Sequence, residues 1–210
     1  MKVSKSAAGI FLLLACVVGV FALKVLSSRH GVDGGVDRQV LTARMKGDPK
    51  GKIKIVEFTD FQCPACAKAD EKVREMFEKY PGQLFLELKY FPLATMHPFA
   101  IRAATYAECA ARQGKFWPFQ DVLFKTQTSW AKMTTVDEYF SGLAVGVGMD
   151  GASLAACVND ASVERAIREN MDQGQSLGVG STPTFFVNGK MAVGGKNFAE
   201  AVDQAMGGGQ

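Results

Sequence analysis

The sequence predicts an α/β fold in which a βαβ unit and a ββα unit are separated by a block of helices. Three observations lead to this prediction. A strand, a helix and a second strand follow one another at the start of the domain, only helical patterns come next, and an Asn-Gly turn joins two short apolar runs near the end. The chain has 210 residues, of which 48% are hydrophobic and 21% charged, so it is long enough and apolar enough to form a packed core.

The βαβ unit begins with the run Ile53–Thr59, whose apolar and β-branched residues predict a buried strand. A helix from Pro64 to Tyr80 follows, because proline loses no hydrogen bond at a first helical position and Pro81-Gly82 stops the pattern. The apolar run Leu84–Phe91 predicts a second strand, parallel to the first through a right-handed crossover.

Residues 95–178 show helical patterns only and predict an all-helical insertion. Beyond it, the apolar runs Thr184–Val187 and Lys190–Val193 flank Asn188-Gly189, a pair of residues that favours a tight hairpin turn. A last helix, Asn197–Met206, completes the ββα unit.

The net charge of +3 is concentrated at the N-terminus. Residues 1–26 contain Lys2, Lys5 and Lys24 and no acidic residue, and the rest of the chain has 21 basic and 21 acidic residues. The folded part therefore offers no basic surface for nucleic acid. Instead, the lysines before an apolar stretch are typical of an export signal, with the N-terminus in the cytoplasm and the remainder outside.

Three forms of this export segment are consistent with the residues. Ala7–Leu26 is long enough to anchor the chain in a membrane if Lys24 extends to the interface. A cleaved signal would use small residues such as those around Val20-Phe21-Ala22. Lipidation at Cys16 is the third form, although the apolar residues that follow Cys16 argue against it.

The remaining chain divides into a linker and a domain. Residues 27–46 begin with a stretch rich in glycine and serine, which predicts a flexible linker. Residues 47–206 form the predicted domain, and it includes the insertion.

The sequence Cys63-Pro64-Ala65-Cys66 lies where the first strand passes into the helix. The attacking species in disulfide exchange is a thiolate, and a helix N-terminus stabilises a thiolate through its unpaired N–H groups and its dipole. We therefore predict Cys63 as the nucleophile and Cys66, one turn inward, as the resolving thiol. Half of a zinc site and an inert disulfide are alternatives, but the sequence supplies no second pair of ligands at a suitable spacing. We predict no metal and no cofactor other than the redox-active disulfide.

The segment Gly180-Ser-Thr-Pro-Thr-Phe-Phe-Val187 resembles the thioredoxin superfamily, in which a cis-proline at this place faces the redox pair. The resemblance implies that Pro183 is that cis-proline and that Thr182 offers main-chain hydrogen bonds to a substrate peptide. From the sequence alone, an ordinary trans proline in a turn is the alternative.

Glu57 is an acid within an otherwise apolar strand, six residues before Cys63. By resemblance, an acid at this place lies beneath the redox pair and assists proton transfer to the resolving thiol, and Lys89 is its candidate charge partner. The alternatives are a strand-edge carboxylate that faces water and a lysine on the surface.

Within the superfamily, the resemblance is to the DsbA branch. It is carried by the segment Glu57-Phe-Thr-Asp-Phe-Gln-Cys-Pro-Ala-Cys66. The helical insertion and the segment Ala107–Trp117 are similar to that branch as well. The resemblance implies a periplasmic or extracytoplasmic thiol:disulfide oxidoreductase that acts on unfolded or newly exported proteins. It also implies reoxidation by a membrane partner of the DsbB or vitamin K epoxide reductase type.

Ala65 departs from the family pattern, because the strongest oxidants have histidine between the cysteines. Without that positive partner, the nucleophile should have a higher pKa and the pair should be less oxidising. A membrane-tethered reductase or isomerase of the same fold is therefore the alternative function, and a binding protein or chaperone that performs no redox chemistry is a third.

Cys109 and Cys157 lie on two predicted helices of the insertion. In an oxidising compartment they are expected to form a second, structural disulfide, with two small buried hydrophobic residues as the alternative. We predict that His97 lies at the start of a helix and has no catalytic role.

Overall fold

The computed structural model describes residues 38–208, which contain one five-stranded sheet with helices on both faces. The strands lie in the order β1-β3-β2-β4-β5. Their bounds are β1 Met45–Gly47, β2 Ile53–Thr59, β3 Leu84–Tyr90, β4 Thr184–Val187 and β5 Lys190–Val193. β2 pairs with β3 in parallel, whereas the pairs β1–β3, β2–β4 and β4–β5 are antiparallel.

The helices within the described residues are α1 Arg38–Ala43, α2 Pro64–Lys79, α3 Ala100–Arg112, α4 Phe116–Lys125, α5 Gln127–Trp130, α6 Asp137–Gly146, α7 Gly151–Cys157, α8 Ala161–Ser176 and α9 Gly194–Gly207. The elements β2, α2 and β3 form the predicted βαβ unit, and β4, β5 and α9 form the predicted ββα unit. All the elements between β3 and β4 are helices, so the predicted fold class is confirmed.

The two faces of the sheet are covered by different helices. On one face, Ile55 and Leu86 pack with Val73 of α2 and with Phe198 and Val202 of α9. On the other face, α8 packs against Phe58 and Phe91: a β-carbon added to Gly174 of α8 would lie 2.7 Å from the ring of Phe91. The alternation of side chains along β2 and β3 explains this division, because successive residues of a strand face opposite sides of the sheet.

The insertion forms most of a second core, which lies beside the redox pair. Its buried members include Phe119, Trp130 and Phe140, and the same cluster contains Cys63 and Cys66. The helices α3 and α7 of the insertion are joined by a disulfide between Cys109 and Cys157, whose Cα atoms are 5.8 Å apart. Both cysteines are therefore part of a covalent cross-link within the insertion.

The predicted boundary between linker and domain is wrong. Residues 38–46 were expected to belong to a flexible linker, but they form α1 and most of β1, and β1 pairs with β3. Arg44 is 1% exposed and donates hydrogen bonds to the Leu88 carbonyl, at 3.3 Å, and to Asn170 Oδ1, at 2.7 Å. A three-residue strand with two exposed residues has no apolar alternation, so its residues do not predict a strand.

The predicted export segment, residues 1–26, and the first part of the predicted linker lie outside the described residues. Among residues 38–208, no helix has both the length and the apolar character needed to cross a bilayer.

Candidate active site

The two cysteines lie at the first turn of α2. Cys63 is the residue before the helix, with an extended main chain, and Pro64 occupies the first helical position. The Cys63 carbonyl accepts hydrogen bonds from the N–H groups of Cys66, at 3.0 Å, and Ala67, at 3.3 Å. This turn places Cys66 directly behind Cys63, and both residues are buried, at 7% and 0% exposure.

The two sulfur atoms have opposite electrostatic environments. A hydrogen bond from the Cys66 thiol is the largest cause that lowers the pKa of Cys63 to about 5, and the main-chain N–H groups of Cys66 and Ala65 add to it. Burial raises the pKa of Cys66, and the interaction with Cys63 raises it further. The geometry therefore favours a thiolate on Cys63 and a thiol on Cys66.

Thr182 and Pro183 face this pair from the loop that precedes β4. The Thr182–Pro183 peptide bond is cis. The Cys63 thiol lies 3.4 Å from the Thr182 carbonyl oxygen, to which it donates a hydrogen bond. Cys63 and Thr182, which are 119 positions apart in the sequence, are thus brought together at the end of the sheet.

Glu57 lies in the middle of β2 and is 3% exposed. Burial raises the pKa of Glu57 to about 8, and the nearby carboxyl of Asp70 contributes to the rise. Glu57 therefore holds a proton at neutral pH. The Thr59 hydroxyl lies on the same face of β2 and lowers the pKa of both Glu57 and Cys66.

Lys89 is not the charge partner of Glu57. In the parallel register of β2 and β3, Glu57 is opposite Leu88, and Lys89 is opposite Phe58 on the other face of the sheet. Lys89 Nζ instead lies 2.6 Å from a carboxyl oxygen of Glu87. The prediction that Lys89 lies on the second strand of the βαβ unit is correct. The register of β2 and β3, however, places Lys89 and Glu57 on opposite faces of the sheet, so the two side chains cannot pair.

Asp70 is a site residue that the sequence analysis missed. It lies one turn after Cys66 on α2 and is 5% exposed, and its Oδ1 accepts a hydrogen bond from Gln120 at 2.8 Å. Burial raises the pKa of Asp70, whereas the ion pair with Arg74, at 2.7 Å, opposes the rise. An acid on the inner face of an amphipathic helix, four positions after a reactive cysteine, is the signal that could have indicated it.

Gln127 and Asp60 were missed as well. Gln127 is buried at the start of α5, and its Nε2 donates to the carbonyls of Phe61, at 2.8 Å, and Cys63, at 3.0 Å. Asp60 precedes the redox pair, and its N–H donates to Cys66 Sγ at 3.5 Å. The Asp60 contact lies within the redox loop, whereas Gln127 connects this loop to the insertion, a proximity that the sequence does not reveal. Among the described residues, no cluster of histidine, cysteine and acidic side chains could hold a metal ion.

A family model described as thioredoxin matches residues 39–205. This match covers the whole sheet and the insertion, and the chain therefore belongs to the thioredoxin family. A helical insertion, in which α3 and α7 are cross-linked, is added to the βαβ–ββα core, and this fold is shared with solved DsbA structures.

Solved structures with this architecture include a thioredoxin-like oxidoreductase from Silicibacter pomeroyi. It is 26% identical, with a TM-score of 0.64, over 82% of this chain and 99% of that one. Alpha-DsbA1 of Wolbachia pipientis is 22% identical, with a TM-score of 0.68, over 79% of this chain and 91% of that one. BdbD of Bacillus subtilis is 18% identical, with a TM-score of 0.68, over 80% and 95%. At these lower identities, the last two establish the fold.

Relatives in sequence include proteins named as Na⁺/H⁺ antiporters. NhaA 1 of Mycobacterium sp. (strain KMS) is 32% identical over 148 residues, which are 70% of this chain and 23% of that protein. NhaA 3 of Salinispora tropica is 32% identical over 162 residues, which are 77% and 24%. The chain thus spans about a quarter of the length of these curated relatives. The name Na⁺/H⁺ antiporter belongs to those longer proteins. The aligned region of 148 to 162 residues has the size of a single domain.

Proposed function

We propose that this protein is an exported thiol:disulfide oxidoreductase that introduces or exchanges disulfides in extracytoplasmic proteins. The observation that carries the proposal is the asymmetric pair at the start of α2. The pKa of Cys63 is lowered to about 5 while that of Cys66 is raised, and the Thr182 carbonyl lies 3.4 Å from Cys63 Sγ. Cys63 Sγ is thus suited to act as nucleophile and as leaving group, and Cys66 Sγ is suited to resolve the mixed disulfide.

In the oxidising direction, a substrate thiolate attacks Cys63 Sγ of the Cys63–Cys66 disulfide. A substrate–Cys63 disulfide forms, and Cys66 leaves with the electron pair of the broken bond. A second substrate thiolate then attacks the substrate sulfur, so that Cys63 leaves as a thiolate. The substrate gains a disulfide, and the enzyme pair is reduced. The reverse sequence reduces a substrate disulfide.

Glu57 supplies the proton that Cys66 needs as it leaves. Its pKa of about 8 means that Glu57 holds this proton at neutral pH, and Cys66, whose pKa is raised, is the stronger base once it is a thiolate. When the pair is oxidised again, Glu57 accepts the proton back. Glu57 therefore acts as the acid and the base for the resolving thiol.

Thr182 and Pro183 bind the substrate next to the nucleophile. The Thr182 carbonyl lies 3.4 Å from Cys63 Sγ and can accept a hydrogen bond from the main chain of an extended peptide. The dipeptide Pro64-Ala65 lies between the two cysteines at the first turn of α2. Main-chain recognition of this kind suits a catalyst with many unrelated protein substrates.

The proposed location is the outer face of the cytoplasmic membrane, to which residues 7–26 tether the domain. The lysines before the apolar segment support this orientation, and a disulfide between Cys109 and Cys157 is typical of an oxidising compartment. A membrane protein of the DsbB or vitamin K epoxide reductase type would reoxidise the pair. Fusing residues 1–26 to alkaline phosphatase tests this: an active exported reporter is expected, and an inactive cytoplasmic one contradicts it.

The experiment that tests the activity uses a substrate protein in its reduced and its oxidised form, together with two single variants. Wild-type protein with an oxidised pair should form disulfides in the reduced substrate and become reduced itself. In Cys66→Ala, the Cys63 thiolate should attack a disulfide of the oxidised substrate and accumulate as a mixed disulfide, because no Cys66 resolves it, and Cys63→Ala should do neither. If Cys63→Ala keeps full function in cells, the protein is a binder and not an oxidoreductase.

Ala65 favours a second candidate, a tethered reductase or isomerase, because no histidine stabilises the Cys63 thiolate. The redox state of the pair in cells separates the two directions. An oxidised pair supports a disulfide donor, and a reduced pair supports the reductase or isomerase.

A further inference from the structure

The turn between β2 and the redox pair is organised by the side chain of Asp60. This side chain is fully buried, at 0% exposure. Its Oδ1 accepts a hydrogen bond from the Gln62 N–H at 2.8 Å, and its Oδ2 accepts one from the Leu93 N–H at 2.9 Å. Asp60 therefore connects its own turn to the chain that leaves β3.

His97 adds a side-chain contact to the same carboxyl. Its Nδ1 lies 2.7 Å from Asp60 Oδ2, the oxygen that also accepts from the Leu93 N–H, and a carboxylate oxygen in such a pair accepts from the imidazole. His97 belongs to the segment between β3 and α3, at the entrance of the helical insertion, and its side chain is 16% exposed. This imidazole is thus a contact between the segment that leads into the insertion and the redox loop.

The main chain of Asp60 contacts both cysteines. Its N–H donates to Cys66 Sγ at 3.5 Å, and its carbonyl accepts from the Cys63 N–H at 3.1 Å. A shift of Asp60 would move a hydrogen-bond donor away from one sulfur and would loosen the residue that carries the other.

We propose that His97 is a positioning residue of the redox pair, which acts through Asp60 to hold the main chain around Cys63 and Cys66 in the geometry that favours the dithiol. The inference rests on the proposed function, and it concerns the equilibrium between the reduced and the oxidised pair. Charge-assisted hydrogen bonds inside a protein orient their partners strongly, since an unpaired buried carboxyl is costly.

The direction of the effect follows from what the loop stabilises. The N–H donors of the redox loop stabilise sulfur in the reduced form, where Cys63 is a thiolate. Loss of the His97 contact leaves these donors less well held, so the reduced form becomes less stable and the pair less oxidising. The Gln127 contacts with the Phe61 and Cys63 carbonyls remain, so the loop keeps its overall course.

The test compares His97→Ala and His97→Asn with wild type in the full chain. The readouts are the equilibrium constant with glutathione and the pKa of Cys63 from thiolate absorbance. His97→Ala should shift the equilibrium toward the disulfide by about three-fold or more and raise the pKa of Cys63. His97→Asn places an amide nitrogen where Nδ1 was and should recover most of the wild-type value.

A matched control separates positioning from general loss of stability. Asn170→Ala removes a buried acceptor whose described hydrogen bonds come from Arg44 and from the Tyr90 N–H. It should lower the free energy of unfolding but leave the glutathione equilibrium unchanged. If His97→Ala does not fold, His97→Phe keeps the bulk of the ring without the donor and takes its place.

The proposal is overturned if His97→Ala, or His97→Phe in its place, has the wild-type equilibrium constant. It is also overturned if Asn170→Ala shifts the constant equally, or if His97→Asn behaves like alanine. Both readouts are properties of the dithiol itself. They can be measured even if the substrate assay shows no catalysis. In that case the proposed function fails, while the His97 variants still test this inference separately.

Discussion

Cys63 and Cys66 are three residues apart in sequence, and yet their sulfur atoms differ sharply in proton affinity. Cys63 Sγ accepts from the Cys66 thiol and is close to the N–H groups of Cys66 and Ala65, whereas Cys66 is buried behind it with no exposed surface. The pKa of Cys63 is lowered to about 5 without a histidine between the cysteines, because the Cys66 thiol and then these N–H groups donate to its sulfur. The roles of nucleophile and resolving thiol stay predictions, and this geometry gives a physical reason for them.

Replacing Ala65 with histidine should make the pair more oxidising. A positive partner beside Cys63 stabilises its thiolate and therefore the reduced form, which lowers the pKa of Cys63 further and shifts the glutathione equilibrium by about ten-fold. Ala65→Gln is the control, since it adds a side chain of similar size without the charge. An unchanged equilibrium constant for Ala65→His would show that this position does not set the potential.

Glu57 should make the stability of the oxidised protein depend on pH. In the folded state its pKa is raised to about 8, against 4.5 for the ordinary group. Between these values the folded state binds the extra proton, so the free energy of unfolding falls as the pH rises, by at most about 1.4 kcal/mol per pH unit. Denaturant unfolding of the oxidised protein, in which Cys63 and Cys66 do not titrate, measures this slope.

Glu57→Gln should flatten this part of the pH profile. Asp70 and Glu108, whose pKa values are also raised by burial, remain in both proteins, so the difference between the two profiles isolates Glu57. Profiles that stay parallel from acid to alkaline pH would mean that Glu57 ionises normally in the folded protein.

At the scale of elements, the sheet positions the site because β2 ends where the antiparallel β4 begins. The turn after β2 carries Cys63, the loop before β4 carries Thr182, and the antiparallel pairing of these strands brings the two together. On the opposite face of the sheet, α8 approaches closely at Gly174, which has room for a hydrogen atom only.

Gly174→Ala should therefore destabilise the protein by about 1–3 kcal/mol, because the rings of Phe91 and Phe58 would be 2.7 and 3.0 Å from the new β-carbon. Gly142→Ala is the matched control: it lies within α6 with no atom within 4 Å of an added β-carbon. It should stabilise the protein by up to about 1 kcal/mol through helix propensity. Equal effects of the two variants in thermal or denaturant unfolding would argue against the close approach.

At the scale of the whole molecule, one disulfide links helices within the insertion, and one set of buried polar contacts holds the insertion to the sheet. The disulfide joins α3 and α7, while Arg44, Asn170 and Glu108 connect the turn after α1 with α8 and α3 around the Tyr90 ring. The segment before β1 thus belongs to the folded unit.

The double variant Cys109→Ala/Cys157→Ala should lose stability, since it opens a loop with a sequence separation of 48 residues, worth about 4 kcal/mol in the chain-entropy model. Denaturant unfolding at constant redox state of Cys63 and Cys66 measures the loss. The glutathione equilibrium of the redox pair should stay the same. A large shift of that equilibrium would show that the cross-link acts on the site as well as on stability.

The sequence by itself determined the parts of this protein that depend on local signals. The redox motif at a strand-to-helix junction, Pro64 at the first helical position and the hairpin turn Asn188-Gly189 are all readable from neighbouring residues. Resemblance to a known family supplied the roles predicted for Glu57, Thr182 and Pro183.

Only the tertiary structure decided which distant side chains meet. Period-two alternation indicates that Lys89 and Glu57 each face one side of a sheet, but the register of β2 and β3 determines that the sides differ. In the same way, the contacts of Asp60 with His97 and of Gln127 with the Cys63 carbonyl depend on how the insertion folds back over the redox loop. Such contacts are determined by packing between residues that are far apart in the chain. A sequence pattern indicates which side of a helix or strand is buried, but it does not indicate which residue each buried side chain contacts.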